Sequence, residues 1–134
     1  MRLFSLFSAV EAPAHCDLPC GVYDPAQARI EAESVKALQE KYQGSDDEVF
    51  KTRAFIIKEQ RADLVKHHLW VLWTDYFKPP HFEKYPQLHE LFNKATKQAG
   101  ASGAKQSVDP AEGQKLLDYI AGIDKIFWET KAAA

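Results

Sequence analysis

Apolar residues recur every three to four positions through most of this chain, and nowhere do they alternate for long enough to make a strand. Ala28, Ala32, Val35, Leu38 and Tyr42 share one face of a helix that the spacing places at about residues 25 to 43. Asp24 before Pro25 reads as an N-cap with proline at the first helical position, Gln27 completes a capping-box-like spacing, and Gly44 reads as the glycine after the last turn. Ser45 with Glu48 forms a second capping box and opens a segment free of Gly and Pro up to Pro79. Val49, Phe50, Ala54, Ile57, Leu64, Val65, Leu69, Leu72, Trp73 and Tyr76 keep the helical period across it. The pattern predicts one long helix, or two meeting at a kink near His67.

Pro79-Pro80 interrupts the next piece, so Lys78 to Tyr85 is expected to be a packed turn. A shorter helix then starts at Pro86, with Leu88, Leu91, Phe92 and Ala95 on one face. Gly100 to Ser107 is polar and small, and is expected to be a mobile loop. Asp109, Pro110 and Glu112 repeat the cap-and-proline start, and Leu116, Tyr119, Ile120, Ile123 and Phe127 form the stripe of a last helix. With no β pattern and no internal repeat, the expected architecture is an all-α, antiparallel four-helix bundle.

Length and composition leave that picture intact: 134 residues, 46% hydrophobic and 27% charged, suffice for one cored domain without disulfide support. A net charge of −2, with Lys and Glu interspersed, offers no basic field for nucleic acid, so none is expected as a partner. No apolar run approaches the roughly 18 to 20 residues of a membrane span, and no membrane partner is expected.

The first fourteen residues stand apart. Met1 to Ala14 holds a short apolar run, Leu3 to Val10, and ends in Ala12-Pro13-Ala14. Two serines within the run and Glu11 directly after it make a poor secretory signal. The segment reads as a frayed tail or as a propeptide cut after Ala14; the second would make His15 the new N-terminus.

Chemistry concentrates at His15-Cys16-Asp17-Leu18-Pro19-Cys20-Gly21, which holds both cysteines of the chain. Thiolate and imidazole suit late first-row metals. If His15 is N-terminal, its amine, the Cys16 amide nitrogen and the Cys16 thiolate close two adjacent five-membered chelate rings. Cys20 then supplies the fourth corner. Such a planar N2S2 set suits nickel(II) or copper(II) over tetrahedral zinc, with the His15 imidazole in axial reach. From spacing alone, an incidental thiol pair or a partial zinc site stays open. Other metal and phosphate motifs are missing: no Glu-x-x-His, no zinc-protease pattern after His89-Glu90, no Cys-x-x-Cys and no Gly-rich phosphate loop.

His15-Cys16-Asp17-Leu18-Pro19-Cys20-Gly21-Val22-Tyr23-Asp24-Pro25 resembles the nickel-hook motif of the nickel superoxide dismutases. The likeness runs on through Ala26 to Ser34 and returns at Lys58 to Arg61, Asp75 to Pro86 and Ile123 to Lys131. The resemblance implies a four-helix bundle (residues 15–134, hook 15–23) behind a cleaved leader (1–14). It implies a homohexamer with one nickel ion per subunit, matured by a dedicated peptidase, that disproportionates superoxide to dioxygen and hydrogen peroxide. It makes His15, Cys16 and Cys20 the nickel ligands, and Glu31 and Arg61 the pair that orients the His15 imidazole. Asp17, Tyr23 and Tyr76 would shape the substrate's approach, and the Leu18-Pro19 bond would be cis. Lys78 and Lys84 would draw the superoxide anion inward. His67, His68, His81 and His89 are assigned to packing or surface, and Trp70, Trp73 and Trp128 to core or subunit interface. The family and the weak leader together imply a cytoplasmic protein. The competing expectation is a nickel-trafficking or thiol-sensing bundle that binds metal without turnover.

Overall fold

The computed structural model describes residues 20–134. Among them the order is α1 (Ala26–Gln43), α2 (Glu48–Val71), a π-helical turn (Leu72–Tyr76), the short α3 (Pro79–Lys84), α4 (Leu88–Gln98) and α5 (Pro110–Ala132), with no strand. Helix α1 packs on α2 and α5, and α4 packs on α5 and α2, so the four long helices close a ring around one core. This is the expected helical bundle, with α3 as an extra turn at one end.

The core has an uneven composition that follows from this ring. Helix α1 contributes Ala28, Ala32 and Val35, and α2 contributes Ala62, Val65 and Leu69. Helix α5 supplies the larger Leu116, Ile120, Ile123, Ile126 and Phe127, and α4 supplies Leu88, Phe92 and Ala95. Small side chains on α1 and α2 let those two helices approach closely. Each buried Leu, Ile or Phe stabilises the fold by about 1.5–3 kcal/mol relative to leaving it exposed.

The helix ends obey short-range hydrogen bonding, with corrections to the expected registers. The Asp24 carboxylate accepts from the Ala26 N–H at 2.8 Å, and the helix proper begins at Ala26 behind the buried Pro25. Helix α2 is capped by Asp47, not Ser45: its Oδ1 accepts from the Val49 and Phe50 N–H groups at 2.9 and 3.2 Å. Ser45 Oγ instead accepts from the Asp47 N–H at 3.1 Å, holding the cap in place. Asp109 Oδ1 accepts from the Ala111 N–H at 2.9 Å and Pro110 opens α5, as expected. Gly44 ends α1 with φ −85°, so its lack of a Cβ is not used for a left-handed turn.

Of the two alternatives for the segment before Pro79 the single long helix is formed, and three further expectations are revised. Helix α2 runs unbroken past His67, and its irregularity lies at Leu72–Tyr76, where the Phe77 N–H donates to the Leu72 carbonyl at 3.0 Å across five residues. Pro79 and Pro80 start the short α3 inside the expected turn, because proline costs no hydrogen bond in a first turn. The helix expected from Pro86 begins at Leu88. The 100–107 loop is tied down: Lys58 Nζ donates to the Ala104 carbonyl at 3.0 Å, the Gln106 N–H donates to Glu59 at 2.6 Å, and Lys105 pairs with Asp63 at 2.8 Å.

Several large apolar residues face outward, Val49, Phe50 and Trp73 of the predicted stripes among them. Val49 is 72% exposed, Trp70 52% and Trp128 49%. Phe50, Ile30, Ile56 and Trp73 are exposed as well. A period of 3.6 does not distinguish a face turned to the chain's own core from a second apolar face, so the tryptophans are not core residues of this chain. Among the described residues no helix is long and apolar enough to cross a membrane.

Candidate metal centre

Cys20 is the one expected ligand within the described residues; His15, Cys16, Asp17 and the Leu18-Pro19 bond lie outside them. Its thiol is exposed and accepts from the Val22 N–H at 3.4 Å. Gly21 follows with φ 72°, a left-handed conformation that glycine adopts without strain, and turns the chain toward Tyr23. The donor chemistry fits a nickel site: Cys20 offers an exposed sulfur, and the sequence carries a second sulfur, an amide and an imidazole in the residues just before it. Among the described residues no group of three or more His, Cys, Asp or Glu side chains is placed to hold a metal ion elsewhere.

The exit of this segment docks on the end of the bundle. The Tyr23 and Tyr76 rings meet at 5.8 Å, tilted by 54°. Tyr76 rides on the π-helical turn, whose extra residue shifts its register relative to an unbroken helix. Its ring packs on Phe127 at 4.3 Å, on Phe77 at 4.9 Å and, stacked, on His81 at 5.7 Å. Lys131 Nζ sits 5.3 Å above the Tyr76 ring and donates to the Gly21 carbonyl at 3.4 Å, tying the loop to the last turn of α5.

Glu31 and Arg61, expected to act as a pair, meet directly. Arg61 on α2 donates from Nη1 to both carboxylate oxygens of Glu31 on α1, and the Glu31 side chain is only 17% exposed. Tyr23 with Tyr76 and Glu31 with Arg61 are thus each brought together across separate elements. Lys84 lies over the Tyr85 ring at 5.4 Å, while Lys78 leads into α3 beside His81.

His81 belongs to packing, as assigned, but its neighbours make it informative. Its Nδ1 accepts from the Lys78 N–H at 3.1 Å. Burial, and then the positive charge of Lys78, hold its pKa below the ordinary 6.5, so the ring beside Tyr76 stays neutral at physiological pH. Thr130 and Lys131 carry no role in the sequence reading. Their only signal there is membership of the C-terminal stretch that resembles the family, and their meeting with Tyr76 and Gly21 is decided by how α5 packs.

A family profile described as nickel-containing superoxide dismutase matches residues 10–131. The chain belongs to that family. It is 70% identical over 132 residues, 98% of both chains, to "Superoxide dismutase [Ni]" of Streptomyces coelicolor and to the protein of that name from Streptomyces seoulensis. Its fold is similar to a solved nickel superoxide dismutase at TM-score 0.83, with 74% identity over 87% of this chain and 99% of that one. A second, solved with nickel ligation corresponding to the oxidised state, gives TM-score 0.84 and 73% identity over 88% and 99%. As a member of this family the chain is a nickel-dependent oxidoreductase that disproportionates superoxide. A non-catalytic metal carrier is not favoured.

Proposed function

We propose that removal of residues 1–14 frees the His15 amine, and that His15, Cys16 and Cys20 then hold one nickel ion per subunit. Nickel, when bound, supplies a centre that alternates between Ni(II) and Ni(III), so that one superoxide is oxidised and the next reduced. The observation that carries this reading is the docking of Gly21 and Tyr23 on Lys131 and Tyr76, which gives the loop a fixed exit beside a lined approach. Within it, Tyr23 and Tyr76, with Asp17, narrow the approach and hold water near the open face. Lys131 and Lys78 offset the net negative charge locally and draw the anion in. The Glu31–Arg61 pair holds the free nitrogen of the His15 ring.

Assembly and maturation complete the reading. Ile30, Val49, Phe50, Ile56, Trp70, Trp73 and Trp128 are large apolar side chains exposed on the single chain, and their burial between copies supports a homohexamer. A maturation peptidase acting in the cytoplasm accords with a leader that lacks the features of a secretory signal.

The test is intact mass, metal content and superoxide turnover on protein from its native host and on two variants. A chain beginning at His15 with about one nickel per subunit and fast turnover is expected, since site formation and metal loading are coupled. Cys16→Ser and Cys20→Ser should each lose both nickel and activity. Full activity in either variant, or in a chain that keeps Met1, would overturn the ligand assignment.

A further inference from the structure

Tyr76 Oη lies 2.6 Å from Thr130 Oγ1, a pair in which either hydroxyl could donate. A second contact removes that freedom. Thr130 Oγ1 is also 2.7 Å from the Phe127 carbonyl oxygen, which can only accept. A threonine hydroxyl has a single proton, and that proton goes to Phe127. Tyr76 must therefore donate to Thr130, and its oxygen has only lone pairs left to offer to anything in the approach. Thr130 is 5% exposed and sits on the last turns of α5, so no water competes freely for this chain of two bonds.

We propose that Thr130 is a positioning residue that fixes Tyr76 as an acceptor, and so decides which species Tyr76 binds. An acceptor-only phenol holds protonated partners, water or the hydroperoxide being released, and gives no hydrogen bond to a bare anion. Tyr76 is thereby excluded as the proton donor for peroxide, and a bare anion is not retained at its oxygen. The inference rests on the placing of Tyr76 in the substrate approach.

The direction of the Tyr76 hydroxyl is read from the tyrosine Raman doublet near 850 and 830 wavenumbers, whose intensity ratio separates donating from accepting phenols. Taken as wild type minus Tyr76→Phe on metal-free protein, the difference should be that of a donating phenol. In Thr130→Val, measured against the Tyr76→Phe/Thr130→Val double variant, the donor signature should be lost; Thr130→Ser should keep it. On the nickel-loaded enzyme, Thr130→Val frees the Tyr76 proton to reach an anion, so azide should inhibit roughly three- to tenfold more tightly, the worth of one hydrogen bond. Thr130→Ser should match wild type. An accepting signature in the wild-type difference overturns the proposal without any Thr130 variant. Unchanged azide inhibition in Thr130→Val, with Tyr76→Phe altered, overturns it while leaving Tyr76 in the approach. If Tyr76→Phe changes neither turnover nor azide inhibition, the placing of Tyr76 fails and the proposal falls with it.

Discussion

Arg61 Nη1 lies 3.3 and 3.2 Å from the two carboxylate oxygens of Glu31, so a single guanidinium nitrogen bridges the carboxylate and clamps α2 to α1. Arg61 is 39% exposed and Glu31 17%, so the pair is half in water and its strength is modest. Arg61→Ala should destabilise the metal-free protein by about 1 kcal/mol, a fall of roughly 3–6 °C in Tm. If the pair also steadies the His15 ring, nickel retention during dialysis against a chelator should drop more than the loss of stability alone produces. Retention that tracks Tm would limit the pair to a structural clamp.

Lys58 is the most deeply buried charge of the described chain, 1% exposed, with its Nζ bonded to the Ala104 carbonyl and to Glu59. Its ammonium also lies 4.4 Å over the Phe55 ring. Lys58→Ala removes the stem from the core and orphans the Ala104 carbonyl, for an expected loss of about 2–4 kcal/mol in denaturant unfolding. Lys58→Met keeps the volume and should recover about half of it. Proteolysis within 100–107 should rise in both, because that loop loses its tether to α2.

Gly113 on α5 is required by a close approach. A Cβ there would stand 2.5 Å from Gln39 Oε1 and 2.8 Å from Lys36 Cα, and the second of these is backbone that cannot step aside. Gly113→Ala therefore should destabilise, by about 1–3 kcal/mol, although alanine favours helix by about 1 kcal/mol elsewhere. A gain in Tm would show that α1 and α5 can separate without cost.

His81 gives a pH dependence with a defined sign. Its folded pKa lies below the ordinary 6.5, so near and below that pH the unfolded chain binds more protons than the native one. The neutral ring's contribution is fully present above pH 6.5 and is lost as pH falls through 6.5 toward the folded value. Tm should decline between pH 7 and 5, and His81→Gln should flatten that slope. An equal slope in the variant would assign the acid sensitivity to other groups.

How much of this was legible in the sequence differs from residue to residue. Ala28, Ala32 and Val35, or Leu116, Ile120, Ile123 and Phe127, announce their helices and their burial together, because each stripe meets one core. The Asp109-Pro110 start was equally plain, since a cap depends only on its next few residues. Asp47 displaced Ser45 as the cap because both side chains can accept from nearby N–H groups, and the backbone geometry chooses between them. The π-helical turn at Leu72–Tyr76 has no signature in a 3.6-residue period.

By itself the sequence determined the helical class, the segment expected to bear the metal donors, and the pair of charges expected to support it. These are matters of spacing and of donor type, which are local. Only the tertiary structure decided that Tyr76 meets Tyr23 and Thr130, that Lys131 reaches back to Gly21, and that Lys58 is swallowed by the 100–107 loop. Those contacts join positions far apart in the chain, and packing in three dimensions selects them from many pairings that the sequence leaves equally open.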